Sequence, residues 1–181
     1  MLLAIDIGNT NITLGVFDGD ALRATFRLTT DTGRMPDEYA LAVAHLQPLN
    51  GICPDSVDAV VLCSVVPPLT PTFVELCKGY FNVTPLEVGA GTRTGIKIDY
   101  DSPRDVGADR VVDAAAAILL YGGPAVVVDI GTATVFDAVT EDGSYLGGAI
   151  APGIQIAADS LFHTTAQLRR VELYPPPAAI G

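Results

Sequence analysis

Ala4-Ile5-Asp6-Ile7-Gly8-Asn9-Thr10 recurs in altered form as Val127-Val128-Asp129-Ile130-Gly131-Thr132-Ala133. In both stretches an apolar strand ends in Asp-Ile-Gly, a polar tight turn follows, a second strand leaves the turn, and an Asp-Gly turn ends it. Two unrelated hairpins would each explain a turn glycine. They would not explain why Asp-Ile-Gly returns in the same setting. The recurrence predicts a duplicated unit and hence a fold made of two related halves.

Outward from these stretches the chain alternates strands and helices. Strands are expected over 2–6, 12–17 and 21–28. Residues 36–46 carry Pro at the first turn and apolar residues at Tyr39, Leu41, Ala42, Val43 and Leu46, a helical pattern. A buried strand is expected over 57–63, a helix over 70–81, and short strands and turns over 83–100. The run ADRVVDAAAAILLY over 108–121 predicts a strong helix, stopped by Gly122-Gly123-Pro124. A second buried strand is expected over 126–129, and a hairpin over 134–140 and 144–150. A helix is then expected to open at Pro152 and run to 161, with His163-Thr164-Thr165 as a capped loop and an extended tail over 175–181. The whole is an α/β pattern.

Composition narrows the function. The 181 residues are 49% hydrophobic and 17% charged, enough for a packed core and against a disordered state. Lys plus Arg is 10 and Asp plus Glu is 21, a net charge of −11. That charge repels phosphate backbones and anionic membranes, so no nucleic-acid or membrane partner is expected. Cys53, Cys63 and Cys77 form no CxxC pair and suggest neither a disulfide framework nor a zinc site. The start MLLAIDIGNT has an acid and no basic n-region, unlike a signal peptide, and no apolar run has the ~20 residues of a membrane helix. A soluble cytoplasmic protein is expected.

The loops carry the chemistry. Gly8 after a strand lets backbone N–H groups approach an anion, and Asn9, Thr10 and Asn11 add side-chain donors. Asp6 beside that loop can serve a phosphate only through Mg²⁺ or an ordered water. With Asp129 beside the second glycine turn, the pair suits a nucleoside triphosphate held between two hairpins. No GxxxxGK[ST] occurs, and lysine is confined to Lys78 and Lys97, so the donors must be backbone N–H groups and hydroxyls with a metal. Gly107-Ala108-Asp109-Arg110 opens the strong helix. Asp109 there reads equally as a cap favoured by the helix dipole and as a general base for a hydroxyl. Arg110 offers a fork of donors for a carboxylate. Tyr100, just upstream, reads either as a pocket wall or as a packed ring with an exposed hydroxyl.

The runs Asp6-Ile7-Gly8-Asn9-Thr10-Asn11-Ile12-Thr13, Gly107-Ala108-Asp109-Arg110, Asp129-Ile130-Gly131-Thr132-Ala133-Thr134 and Tyr145-Leu146-Gly147-Gly148-Ala149-Ile150-Ala151-Pro152-Gly153 occur in the order and spacing of type III pantothenate kinases, the group that includes the Bvg accessory factors. The chain resembles that family from residue 1 to about 175. The resemblance implies a ribonuclease-H-like, actin-type duplicated fold (the ASKHA class), with an N-terminal half over 1–105 and the start of a C-terminal half over 106–181. It implies phosphoryl transfer from ATP to the terminal hydroxyl of pantothenate, the first step towards coenzyme A. It assigns Asp6, Ile7, Gly8, Asn9, Thr10, Asn11, Ile12 and Thr13 to ATP, with Thr132. It assigns Tyr100, Gly107, Ala108, Asp109 and Arg110 to pantothenate, Asp109 as the base, and Asp129 to a monovalent cation, K⁺ or NH₄⁺. A homodimer is implied. Relatives continue beyond residue 181, so the second half is expected to be incomplete, its sheet lacking a cover and exposing apolar surface. Two other readings stand beside this one: a regulatory or accessory protein on the same fold, and another small-molecule kinase of the superfamily.

Overall fold

The computed structural model describes residues 1–49, 51–89, 91–175 and 177–178. The first half begins with strands β1 (Leu2–Ile7), β2 (Asn11–Asp18) and β3 (Ala21–Thr29) as an antiparallel meander. Helix α1 (Pro36–Leu49), strand β4 (Ala59–Ser64), helix α2 (Leu69–Tyr80) and the two-residue strand β5 (Leu86–Glu87) follow. β4 pairs parallel with β1, giving a five-stranded sheet of order β3-β2-β1-β4-β5. Short strand β6 (Lys97–Ile98) and helix α3 (Ala108–Tyr121) lead to the second meander, β7 (Ala125–Ile130), β8 (Ala133–Val139) and β9 (Ser144–Pro152). These make a four-stranded sheet of order β6-β9-β8-β7, and helix α4 (Ile154–Thr164) closes the series.

The two meanders run in the same sense, and each is followed by a helix, so the repeat read from Asp-Ile-Gly extends from β1 through α1 and again from β7 through α4. Among the described residues, β4, α2 and β5 have no counterpart after α4. β6 joins the second sheet from a position ahead of residue 106.

Burial differs between the repeats. Leu3, Ile5 and Ile7 are 0–2% exposed, packed with Tyr39 of α1 and Phe73 of α2 in the first core. The matching side chains of β7 are Val126 at 67%, Val128 at 47% and Ile130 at 62% exposure. The expected buried strand over 126–129 is therefore corrected: its apolar face lies open, and Phe136, opposite Val128 on β8, extends the patch. The second core sits on the other face of that sheet, where Val111 and Ala114 of α3 meet Val139 and Tyr145.

Smaller corrections concern element ends. Pro152 closes β9, and α4 starts at Ile154, because Gly153 N–H is tied to the Thr132 carbonyl at 3.1 Å. A Cβ on Gly153 would strike the Gly131 and Thr132 carbonyl oxygens, so only glycine lets the helix start there. His163 and Thr164 are the last turn of α4, not a loop. The tail reading over 175–181 falls largely outside the described residues.

The open face of β7 and β8 should bind the dye ANS in the native state. Replacing Val126 and Val128 by Lys should lower that fluorescence while leaving urea stability within about 0.5 kcal/mol, because exposed positions carry little folding energy.

Candidate active site

The two Asp-Ile-Gly turns face each other across a cleft of about 460 Å³. Each turn is closed by its glycine: Gly8 N–H donates to the Asn11 carbonyl at 3.1 Å, and Gly131 N–H to the Ala133 carbonyl at 2.8 Å. Thr30 Oγ1 donates to the Gly8 carbonyl at 2.6 Å and braces the first turn from β3's end. The threonines of the two turns meet, with Thr10 Oγ1 and Thr132 Oγ1 2.6 Å apart in a hydrogen bond.

Of the residues singled out in the sequence, Asp6, Gly8, Asn9, Thr10, Asn11, Thr13, Asp109, Asp129 and Thr132 line this cleft. Thr13 arrives there because it pairs with Asp6 across the β1–β2 ladder. Ile7 and Ile12 do not: both side chains are fully buried in the first core. Their side chains face the core and not the cleft. Tyr100, Gly107, Ala108 and Arg110 also lie off the cleft wall. Tyr100 is 43% exposed, and its ring packs so closely over Gly147 that a Cβ there would lie 2.8 Å from it. Gly147 has a φ of +108°, so a side chain would be strained as well as crowded.

Gly107 shapes the start of α3. A Cβ there would stand 2.5 Å from Asp109 Oδ1, so the bare glycine leaves room for the carboxylate. Asp109 Oδ1 accepts the Arg110 backbone N–H at 2.8 Å while the same side chain lines the cleft. The helix-end contact and the cleft position therefore coexist. The Arg110 fork, expected to face a substrate carboxylate, meets one inside the chain: Nε donates to Asp137 Oδ1 at 3.1 Å.

Asp113 was missed by the sequence reading. It sits one helical turn beyond Asp109 on the same face of α3 and lines the cleft. That four-residue spacing was the available signal. Cys63 was missed too. It reaches the cleft because β4 sets it beside Asp6 in the parallel ladder, a long-range pairing with no local signature.

Crowded acids define the electrostatics. Burial raises the Asp6 pKa, and the charges of Asp109 and Asp129 raise it further. Asp113 is pushed up to about 6 by burial, then by Asp129, Asp109, Asp6 and Asp137. The Cys63 thiol is pushed up to about 12, first by burial and then by Asp6, Asp109 and Asp113, so it stays protonated. A cation in this cleft would relieve the repulsion, and the donors are hard carboxylate and hydroxyl oxygens, the kind that Mg²⁺ and K⁺ take. Among the described residues, no three of His, Cys, Asp and Glu gather closely enough to hold a metal ion alone. A larger hollow of about 700 Å³ lies along α2 between Thr70 and Glu87. None of the acids above reaches it.

A duplicated α/β fold with paired glycine turns and carboxylates facing one cleft defines the ASKHA class. Solved structures share the fold. A conserved Baf family protein from Campylobacter jejuni superimposes with a TM-score of 0.56 at 22% identity, over 97% of this chain and 68% of its own. The ethanolamine utilization protein EutJ from Carboxydothermus hydrogenoformans gives 0.51 at 16%, over 90% and 56%. Within that class, the chain belongs to the type III pantothenate kinase family, whose model matches residues 2–181. It is 51% identical over 181 residues to the type III pantothenate kinase of Roseiflexus sp. strain RS-1, covering 100% of this chain and 71% of that protein. It is 52% identical to type III pantothenate kinase 2 of Symbiobacterium thermophilum, covering 100% and 69%.

Asp113 yields a stability test. Its folded pKa stands above the unfolded value, so its contribution is fully present below pH ~4 and is lost as pH rises through about 6. Asp113→Asn should match the wild type near pH 4 and be more stable at pH 7.5. The gain should be about 1 kcal/mol, discounted for the half-exposed, screened site. Urea titrations at both pH values measure it.

Proposed function

We propose that this chain transfers the γ-phosphoryl group of ATP to the terminal hydroxyl of pantothenate, forming 4'-phosphopantothenate at the entry to coenzyme A synthesis. The observation that carries the reading is the meeting of Asp6, Asp109 and Asp129 in one cleft between two glycine turns, in a chain of this family.

ATP would lie in the cleft with its phosphates along 8–13 and the Thr132 hydroxyl, taking backbone N–H groups, the Asn9 and Asn11 amides and the threonine hydroxyls as donors. Such transfer needs alignment and charge neutralisation more than covalent help. The pantothenate hydroxyl would come within reach of Asp109. As its oxygen bonds to the γ-phosphorus and the bond to ADP breaks, Asp109 accepts the hydroxyl proton. Gly107, Ala108, Arg110 and Tyr100 would hold the rest of pantothenate. When bound, Mg²⁺ at Asp6, directly or through water, and K⁺ or NH₄⁺ at Asp129 would supply positive charge against the phosphates. Ile7 and Ile12 would act by holding the first turn on the core.

Further parts of the reading are a homodimer, a cytoplasmic location, and two halves divided near residues 105 and 106. No described helix is long and apolar enough to cross a membrane.

Incubating the protein with pantothenate, ATP, Mg²⁺ and K⁺ and recording the product by mass spectrometry tests the reaction. Phosphopantothenate should appear, and Asp109→Asn should slow it by ~10²–10⁴-fold, the usual contribution of a general base. A fully active Asp109→Asn variant would remove the base assignment. No product from the intact protein would favour the regulatory reading.

A further inference from the structure

Arg110 turns from the start of α3 into the second core, where its guanidinium meets Asp137 of β8. Nε donates to Oδ1 at 3.1 Å and to Oδ2 at 3.3 Å, and Nη2 donates to Oδ1 at 2.5 Å. Asp137 is 2% exposed. Tyr145, fully buried, donates its hydroxyl to the same Oδ1 at 2.7 Å, and the Arg110 guanidinium carbon lies 5.8 Å from the centre of its ring. Gly148 makes the cluster possible: a Cβ there would stand 2.6 Å from Asp137 Oδ1 and collide with the Phe136 carbonyl.

These contacts use two of the three guanidinium nitrogens. Nη1 has no partner among the described residues, and the Arg110 side chain keeps 17% exposure. Asp109, the adjoining residue, is close enough for its charge to act on Arg110. A buried ion pair contributes little net stability against an apolar pair of the same volume. What this one supplies is a guanidinium held in one orientation, with Nη1 left unpaired, on the residue that follows the proposed base in the chain.

We propose that Asp137 is a positioning residue for acceptor recognition. It holds Arg110, with Tyr145 fixing the carboxylate in turn, so that the Nη1 edge meets the anionic end of the acceptor beside Asp109. Asp137 itself touches no substrate. The inference rests on the pantothenate reading above and adds how the acceptor is gripped.

Steady-state kinetics with pantothenate and ATP varied in turn, together with calorimetric titration of pantothenate, test it in the full chain. Asp137→Asn should raise the pantothenate KM and Kd by ~10-fold, the scale of one charged hydrogen bond, with kcat and the ATP KM within ~2-fold. In an Arg110→Gln background the same change should add nothing to the pantothenate KM, since Asp137 acts through Arg110. Tyr145→Phe keeps the ion pair and should raise that KM by a smaller factor, ~2–3-fold. It decides the matter if Asp137→Asn does not fold. A folded variant with an unchanged pantothenate KM, or with both KM values raised alike, overturns the proposal and assigns the pair a purely structural role. A wild-type chain that neither binds nor phosphorylates pantothenate overturns the underlying reading and this inference with it. An active wild type with an indifferent variant overturns this inference alone.

Discussion

Each central hairpin turns on a single hydrogen bond from a glycine N–H, Gly8 to the Asn11 carbonyl and Gly131 to the Ala133 carbonyl. That bond ends the ladder one residue beyond an aspartate. The carboxylates of Asp6 and Asp129 are thereby left at strand ends, and the polar turn residues face outward. Because the turn is repeated, the two carboxylates approach from opposite halves. The cost is burial of charge and mutual repulsion, which together raise the pKa values of Asp6 and Asp113. A site that concentrates negative charge in this way is poised to take cations together with an anionic ligand.

The first half can hold such a site because its sheet is braced. Tyr39 and Phe73 cover Leu3, Ile5 and Ile7, with the two rings 4.9 Å apart. The Tyr39 hydroxyl donates to the Asp31 carbonyl at 2.9 Å, tying α1 back to the chain that leaves β3. The second half has a smaller core, and at its centre is a polar cluster, Arg110 with Asp137 and Tyr145. There a charged network joins helix to sheet, as aromatic packing does in the first half. Gly148 cannot be replaced without moving β9, because a Cβ there would collide with the Phe136 carbonyl and crowd Asp137 Oδ1.

Much of this was legible from residue order. Asp-Ile-Gly in two places predicted the repeat, and ADRVVDAAAAILLY followed by Gly-Gly-Pro predicted α3 to the residue. Asp6 and Asp129 were read as a pair facing one ligand, the family resemblance added Asp109 and Thr132, and all four line one cleft. What escaped depended on contacts between distant segments. Cys63 reaches the cleft through a parallel ladder. The Arg110 fork is claimed by an aspartate 27 positions away. Local pattern also misjudged Val126 to Asp129, because an apolar strand is written alike whether or not something packs on it. Ile7 and Ile12 sit inside a motif but point to its unreactive side, and strand alternation accounts for them.

The Thr10 and Thr132 hydroxyls hydrogen-bond each other at 2.6 Å, and either one can be the donor. Two hydroxyls bring two hydrogens, and their mutual bond uses only one. The pair is therefore degenerate: its bond can reverse direction by a concerted rotation of both O–H groups. An arriving anion can recruit the spare hydrogen first, then the second by breaking the bond between the threonines. The two halves would exchange a contact with each other for a shared contact with the ligand. The number of satisfied donors would rise from one to two, so the ligand replaces the strut it removes.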